Sequence, residues 1–251
     1  MKGTIISKPL EYTIEALGEK WHQGDKLKGS LTIKNNGAEK VDLPFLKVAI
    51  LEGNYKKVKA KNAKGWSSIT EVVVAEKLTL NSSEEKNYPF EFQLAENSSI
   101  TDKNGSLFLV YFDKEDEFPK GNIELVIEPK QLIKNVLQIF ENFLRFKVKE
   151  IKSGKGSLEV KLVPPTSREL SNVDSLILNI SEIGKSLTLH YHFDFRVLNL
   201  TGATIQSEKT KKDIENVFTA KEYLIYGDSV NQDFIVESVQ KVLSEVKTKM
   251  L

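Results

Sequence analysis

The 251-residue sequence contains no cysteine. That excludes disulfides, thiol nucleophiles and Cys-based zinc sites together. Histidine is scarce too, with three copies in all. No G-x-S-x-G, H-E-x-x-H or G-x-G-x-x-G occurs, so the common nucleophile, metalloprotease and dinucleotide signatures are missing. No apolar run approaches the length of a membrane span. The opening MKGTIISKPLEYTIE has a lysine but no apolar leader segment, and the expectation is a cytoplasmic protein. An excess of one charge is lacking as well. The 36 Lys+Arg against 35 Asp+Glu leave a net +1, which argues against nucleic-acid binding driven by bulk charge. Internal repeats and low-complexity segments are absent. What remains is an ordinary globular composition, 40% hydrophobic and 28% charged, on a chain long enough for two cores.

The stretch that organises the chain is NIELVIEPKQLIKNVLQIFENFLRFKVK, residues 122–149. Ile123, Leu125 and Ile127 alternate with Glu124, Val126 and Glu128, the period-two pattern of a half-buried strand. Pro129 ends it, since proline cannot donate to a ladder but suits the first turn of a helix. Leu132, Val136, Phe140 and Leu144 then fall four apart beside Ile133, Leu137 and Phe143, giving one apolar helical face. Burying it contributes at most about 10 kcal/mol, so the helix is expected to be packed. Alternation returns at Arg145 with Phe146 and Val148. A lone helix with β-patterned sequence on both sides predicts a connector over 129–144 between lobes 1–128 and 145–251.

The flanks read as short strands. Leu10, Tyr12 and Ile14 open the first. Leu27, Gly29, Leu31 and Ile33 mark the next, stopped by Asn35-Asn36-Gly37. Val41–Leu51 holds a break at Pro44 and a buried strand over Phe45–Leu51. Ile69–Leu80 is rich in β-branched residues, Tyr88–Leu94 alternates, and Leu107–Phe112 is apolar on both faces and should lie centrally in a sheet. Strands about ten residues apart without intervening helices indicate an antiparallel sandwich. In the second half, Leu158–Leu162, Val173–Ile180 and Leu187–Leu200 follow. The segment 203–226 fits strand and helix alike. Asp228-Ser229 caps a last helix over about 229–248, with Val230, Phe234, Ile235, Val239, Val242, Leu243 and Val246 in one stripe. The fold class is therefore mainly β, with two antiparallel lobes, a connector helix and a C-terminal amphipathic helix.

Several of these pieces, in this order, resemble an arrestin-like fold. The run Gly24-Asp25-Lys26-Leu27-Lys28-Gly29-Ser30-Leu31-Thr32-Ile33 is similar to an early strand of an arrestin N-lobe, and LTLNSSEEKNYPFEFQL to a later turn and strand. IELVIEPKQLIKNVLQIFENFLRFKV, followed by LEVKLVPP and DSLILNI, resembles the bacterial sporulation-control family of arrestin-like proteins. The likeness spans Gly24–Leu200. Ala95 and Ser99 depart from it, standing where the family has prolines. The resemblance implies two arrestin-like β-sandwich lobes joined by the helix and a scaffold or adaptor role, and it supplies no catalytic residue to transfer.

Three constellations bear on chemistry. His190, His192 and Asp194 share a strand face, where imidazoles and a carboxylate are suited to zinc. The simpler reading is the polar face of an amphipathic strand, because same-face neighbours lie about 6.6–7 Å apart and three ligands rarely bridge that spacing. Gly184-Lys185-Ser186 echoes the end of a P-loop without its leading glycine or its following helix. Asp113 and Asp116 sit in the acidic run DKEDE, which reads as a solvated turn. A fourth feature is a surface arm, YKKVKAKNAKGW, in which Lys57, Lys59 and Lys61 share the face of a hairpin strand beside Trp66. It could meet anionic lipid, nucleic acid or an acidic protein patch. The simpler reading is a solvated edge hairpin whose lysines block edge-to-edge aggregation.

These readings lead to the expectation of a non-catalytic intracellular adaptor without a cofactor. It would bind an unidentified protein partner through sheet edges or the concave face between lobes, with peripheral contact to an anionic surface. The alternatives are a carbohydrate-binding or metal-dependent jelly-roll enzyme and a self-assembling structural protein.

Overall fold

The computed structural model describes residues 1–247 apart from 61, 115–118, 120, 155, 202, 203 and 228, and only the backbone at 63, 198–201 and 204–206. The chain divides into two compact units, Met1–Pro129 and Lys130–Leu251. Both are dominated by antiparallel strands.

The first unit runs β1 (Lys2–Ser7), β2 (Leu10–Ala16), β3 (Trp21–His22), β4 (Lys26–Asn35) and β5 (Val41–Asn54). A single helical turn α1 (Tyr55–Lys59) and a 3-10 turn (Ala63–Gly65) lead into β6 (Trp66–Leu80) and β7 (Glu85–Gln93). Then come β8 (Gly105–Phe112), β9 (Gly121–Leu125) and β10 (Ile127–Glu128). Two four-stranded sheets, ordered β1-β2-β4-β7 and β6-β5-β8-β9, enclose one core. Alternation decides what enters it: Leu10, Tyr12 and Ile14 from β2, and Leu27, Leu31 and Ile33 from β4, are all buried. Strand β8 is buried on both faces. Leu107, Leu109 and Tyr111 enter the main core, whereas Phe108 and Val110 join a second cluster on the far side of the sheet. Pro44 does not interrupt β5. The ladder skips it opposite Lys77, which takes the left-handed conformation (φ 48°).

Besides the expected break at Pro44, two further sequence expectations in this unit give way. The lysine arm is not a hairpin strand. Asn54 caps a helical turn by accepting from the Lys57 amide at 3.2 Å, and five residues with one local cap outweigh the alternating lysines. Asp113 is not in a solvated turn. It is buried at the end of β8 and accepts from the Tyr12 hydroxyl. Its nominal partner Asp116 lies outside the described residues.

The second unit begins with α2 (Gln131–Asn142), whose Ile133, Val136, Leu137, Ile139 and Phe140 are buried. Strands β11 (Lys147–Ser153), β12 (Leu158–Val163), β13 (Val173–Ile183), β14 (Ser186–Thr201) and β15 (Thr204–Thr219) form one sheet in sequence order. The ladder aligns its apolar rows: Leu158, Ile180 and Leu189; Val160, Leu178 and Tyr191; Leu162, Leu176 and Phe193. After α3 (Ala220–Tyr223), β16 (Leu224–Ile225) and β17 (Ser229–Val230) comes α4 (Gln232–Ser244). It buries Ile235, Val239, Val242 and Leu243 and sets Phe234 edge-on to Phe218 at 5.2 Å. The cap of α4 is Asn231, accepting from Phe234 N at 3.3 Å, because Ser229 and Val230 are taken up by a short strand pair. The segment that fitted strand and helix is both: β15 ends at Thr219, where a capping box with Glu222 starts α3.

Candidate functional site

Two surfaces carry the residues that the sequence singled out, one on each unit. On the first unit, Lys56, Lys57 and Lys59 are exposed on α1. Two residues apart on a helix are about 200° apart in direction, so Lys57 and Lys59 diverge, and Lys61 lies outside the described residues. Trp66 is half-buried, edge-on to Phe108 with ring centres 5.1 Å apart, and Tyr55 meets the same ring at 6.2 Å. Gly53 makes this nest possible: a Cβ there would stand 2.6 Å from Phe108 and 2.9 Å from Trp66. The Tyr55 hydroxyl donates to Glu124. Burial, reinforced by that carboxylate, pushes its pKa up to about 12. The aromatic residues of the arm thus root it on the sheet and do not form an open stacking platform.

Beside the arm runs β6, the edge of its sheet and the longest strand of the first unit at 15 residues. Its register against β5 shifts twice, so Ile69 and Val74 are extra residues facing no single partner. The shifts help turn apolar side chains outward: Ile69 is 47% exposed and Val73 49%. Between Trp66 and Ala75 the only charged residue is Glu71. The short edge strands β1 and β9 carry one charge each, Lys2 and Glu124, and the other long edges are more heavily charged. Strand β7 carries Pro89 with Glu85, Lys86 and Glu91, β11 carries Lys147, Lys149 and Lys152, and β15 carries Glu208, Lys209, Lys211 and Lys212. Proline and charge are the usual guards of an edge, and among these long edge strands β6 alone has a ten-residue run, Trp66–Ala75, with a single charge.

On the second unit, His190 and His192 project from the polar face of β14, their rings 4.2 Å apart. Asp194 does not join them. It bonds with Ser175 at 3.1 Å and faces Lys211 at 3.9 Å. The carboxylate that does approach is Asp213 on β15, whose Oδ1 lies 2.7 Å from His192 Nδ1. Sequence reasoning along one strand could not find Asp213. The signal was available only in the hairpin register, which pairs Thr201 with Thr204 and hence His192 with Asp213.

No protein-family model and no curated protein matches the sequence. Among solved structures, the sporulation control protein Spo0M of Bacillus subtilis aligns over 96% of this chain and 100% of its own, with TM-score 0.67 and 15% identity. The chain has the arrestin-like fold of Spo0M. At 15% identity the likeness concerns the fold alone. Two others align over about half of the chain. The alkylpurine DNA glycosylase AlkC of Pseudomonas fluorescens covers 48% of it and 30% of itself (TM-score 0.32, 10% identity). A β-glucosidase of Listeria innocua covers 48% and 16% (TM-score 0.30, 15% identity). At such scores neither bears on the chemistry of this chain.

Proposed function

We infer that this protein is a non-catalytic regulatory adaptor of the cytoplasm that binds another protein by accepting a strand on β6. The observation that carries the reading is the edge itself: 15 residues long, apolar at Ile69, Val72 and Val73, and with Glu71 as the single charge between Trp66 and Ala75. An added strand gains main-chain hydrogen bonds on an open edge, and exposed side chains select which strand fits. The two register shifts limit an unbroken ladder to short lengths, which favours a short extended segment as the partner's contribution. A net charge of +1 leaves selection to shape and local patches. Lys56, Lys57 and Lys59 on α1 supply a secondary contact to an acidic or anionic surface. The regulatory part of the reading draws on the fold shared with a sporulation control protein.

The test is affinity capture from soluble extract of the native cells, comparing the unaltered chain with an Ile69→Lys, Val73→Lys variant. Both positions are exposed, so the variant should keep its circular dichroism. The expected result is a partner recovered with the first and lost with the second. Recovery of nothing, or equal recovery by both, rejects the edge as the binding element.

A further inference from the structure

The polar face of the second unit's sheet brings together residues that the adaptor reading does not use. Along β14, His190 and His192 lean towards each other and close much of the roughly 7 Å that separates same-face positions on a strand. Across the ladder, His192 stands opposite Asp213 and His190 opposite Glu215. Cross-strand neighbours are about 4.5–5.5 Å apart, closer than the next same-face residue on one strand. That difference is why Asp213, and not Asp194, completes the group. One ring nitrogen from each histidine and one Asp213 oxygen all lie within 4.8 Å of one another. Asn179 of β13, opposite His190, places its amide nitrogen 2.9 Å from His192 Nε2.

We propose that His190, His192 and Asp213 bind a late first-row divalent cation, zinc being the probe of choice. Two imidazoles and a carboxylate form a donor set that zinc accepts in tetrahedral geometry. Bonds of about 2.0–2.1 Å hold tetrahedral ligands about 3.3 Å apart. The Nδ1–Oδ1 pair at 2.7 Å therefore opens slightly and His190 swings inward. The ion takes the place of the proton between His192 and Asp213. The ring proton then resides on Nε2, where Asn179, its amide turned to present oxygen, accepts it. Water fills the fourth position, and Glu215 opposite His190 adds negative charge. The ligands come from β14 and β15, so the ion fastens neighbouring strands. Binding to the folded form alone raises stability by mass action.

The composition makes the test clean, because the only other histidine is His22 and there is no cysteine. His22 has its own carboxylates, Asp25 at 3.4 Å and Glu128 at 3.8 Å, and serves as the internal control. The experiment is calorimetric titration of the full chain with zinc chloride in a non-coordinating buffer. We expect one zinc per chain and a rise in Tm. Affinity should fall at least about 100-fold in His190→Ala, His192→Ala and about 10-fold in Asp213→Asn, and stay unchanged in Asp194→Asn and His22→Ala. In the unaltered chain, zinc should shift the Cε1 proton resonances of two histidines and leave the third in place, which needs no variant to fold. Absence of stoichiometric binding, binding that survives the double substitution, loss in His22→Ala, or sensitivity to Asp194 in place of Asp213 each overturns the assignment.

Discussion

Tyr12 shows how one residue ties sequence pattern to an interior that the pattern does not reveal. Its place in the alternation of β2 puts it inside, where it stacks on Tyr111 with ring centres 4.6 Å apart and donates to Asp113. Removing that donor by Tyr12→Phe weakens the solvation of a buried carboxylate and should cost about 2 kcal/mol in urea unfolding. Tyr12, Tyr55, Tyr111 and Tyr191 all have phenol pKa values raised, first by burial. Tyr12 and Tyr55 are raised further by their carboxylate partners. A phenol whose folded pKa exceeds its unfolded value of about 10 adds stability that is complete below pH 10. That stability is lost as pH climbs through the folded value, about 12 for Tyr55. Denaturant midpoints measured from pH 8 to 12 should stay level up to about 10 and then fall. Spectroscopic titration should show these tyrosinates forming late. The inward direction of Tyr12 was legible from period two. The burial of Asp113 was not, because an acidic run looks solvated until a partner about a hundred positions away is known.

Element by element, legibility followed length and cooperativity. The helix α2 spans 12 residues with a continuous apolar face, so its type and most of its buried side were evident from spacing. Phe143, expected on that face, lies past the last turn and is 53% exposed, and Ile139 is buried in addition. Phe140 is fully buried there and meets Phe146 edge-on at 6.0 Å. Phe140→Ala should cost about 4 kcal/mol in urea unfolding, and a loss under 1 kcal/mol would show that the face is not packed as described. Strand β4 was equally plain, yet its Gly29 carries a constraint that no period displays. A Cβ there would lie 2.1 Å from the Glu15 carbonyl oxygen and 2.5 Å from the Phe90 ring, which covers the glycine from the paired position. By contrast, α1 has five residues, too few for a period to outweigh alternation, and a single cap fixes its conformation. The segment 203–226 resisted assignment because a strand end and a helix start abut inside one window. The His–Asp group failed in a related way: on-strand spacing is local, whereas the contact that completes it depends on the hairpin register.

At the scale of the molecule, the mainly β architecture was readable from strand spacing around one helix, and the arrestin-like fold from the resemblance of particular segments, such as Gly24–Ile33, to that family. The chain should scatter light as a 28.4 kDa monomer across a concentration series. A mass that grows with concentration, and returns to the monomer value in Ile69→Lys, Val73→Lys, would mean that β6 pairs between copies and would replace the adaptor reading with self-assembly. No helix among the described residues is long and apolar enough to cross a membrane.

The two register shifts of β6 also leave a mark in time. On an edge strand, amides alternate between those bonded to the neighbouring strand and those facing water, and hydrogen exchange separates the two as slow and fast. Each extra residue moves that alternation by one step. The comb of slow and fast amides along Trp66–Leu80 should therefore slip phase at Ile69 and again at Val74. A bound strand would slow the formerly fast teeth and leave the slips where they are.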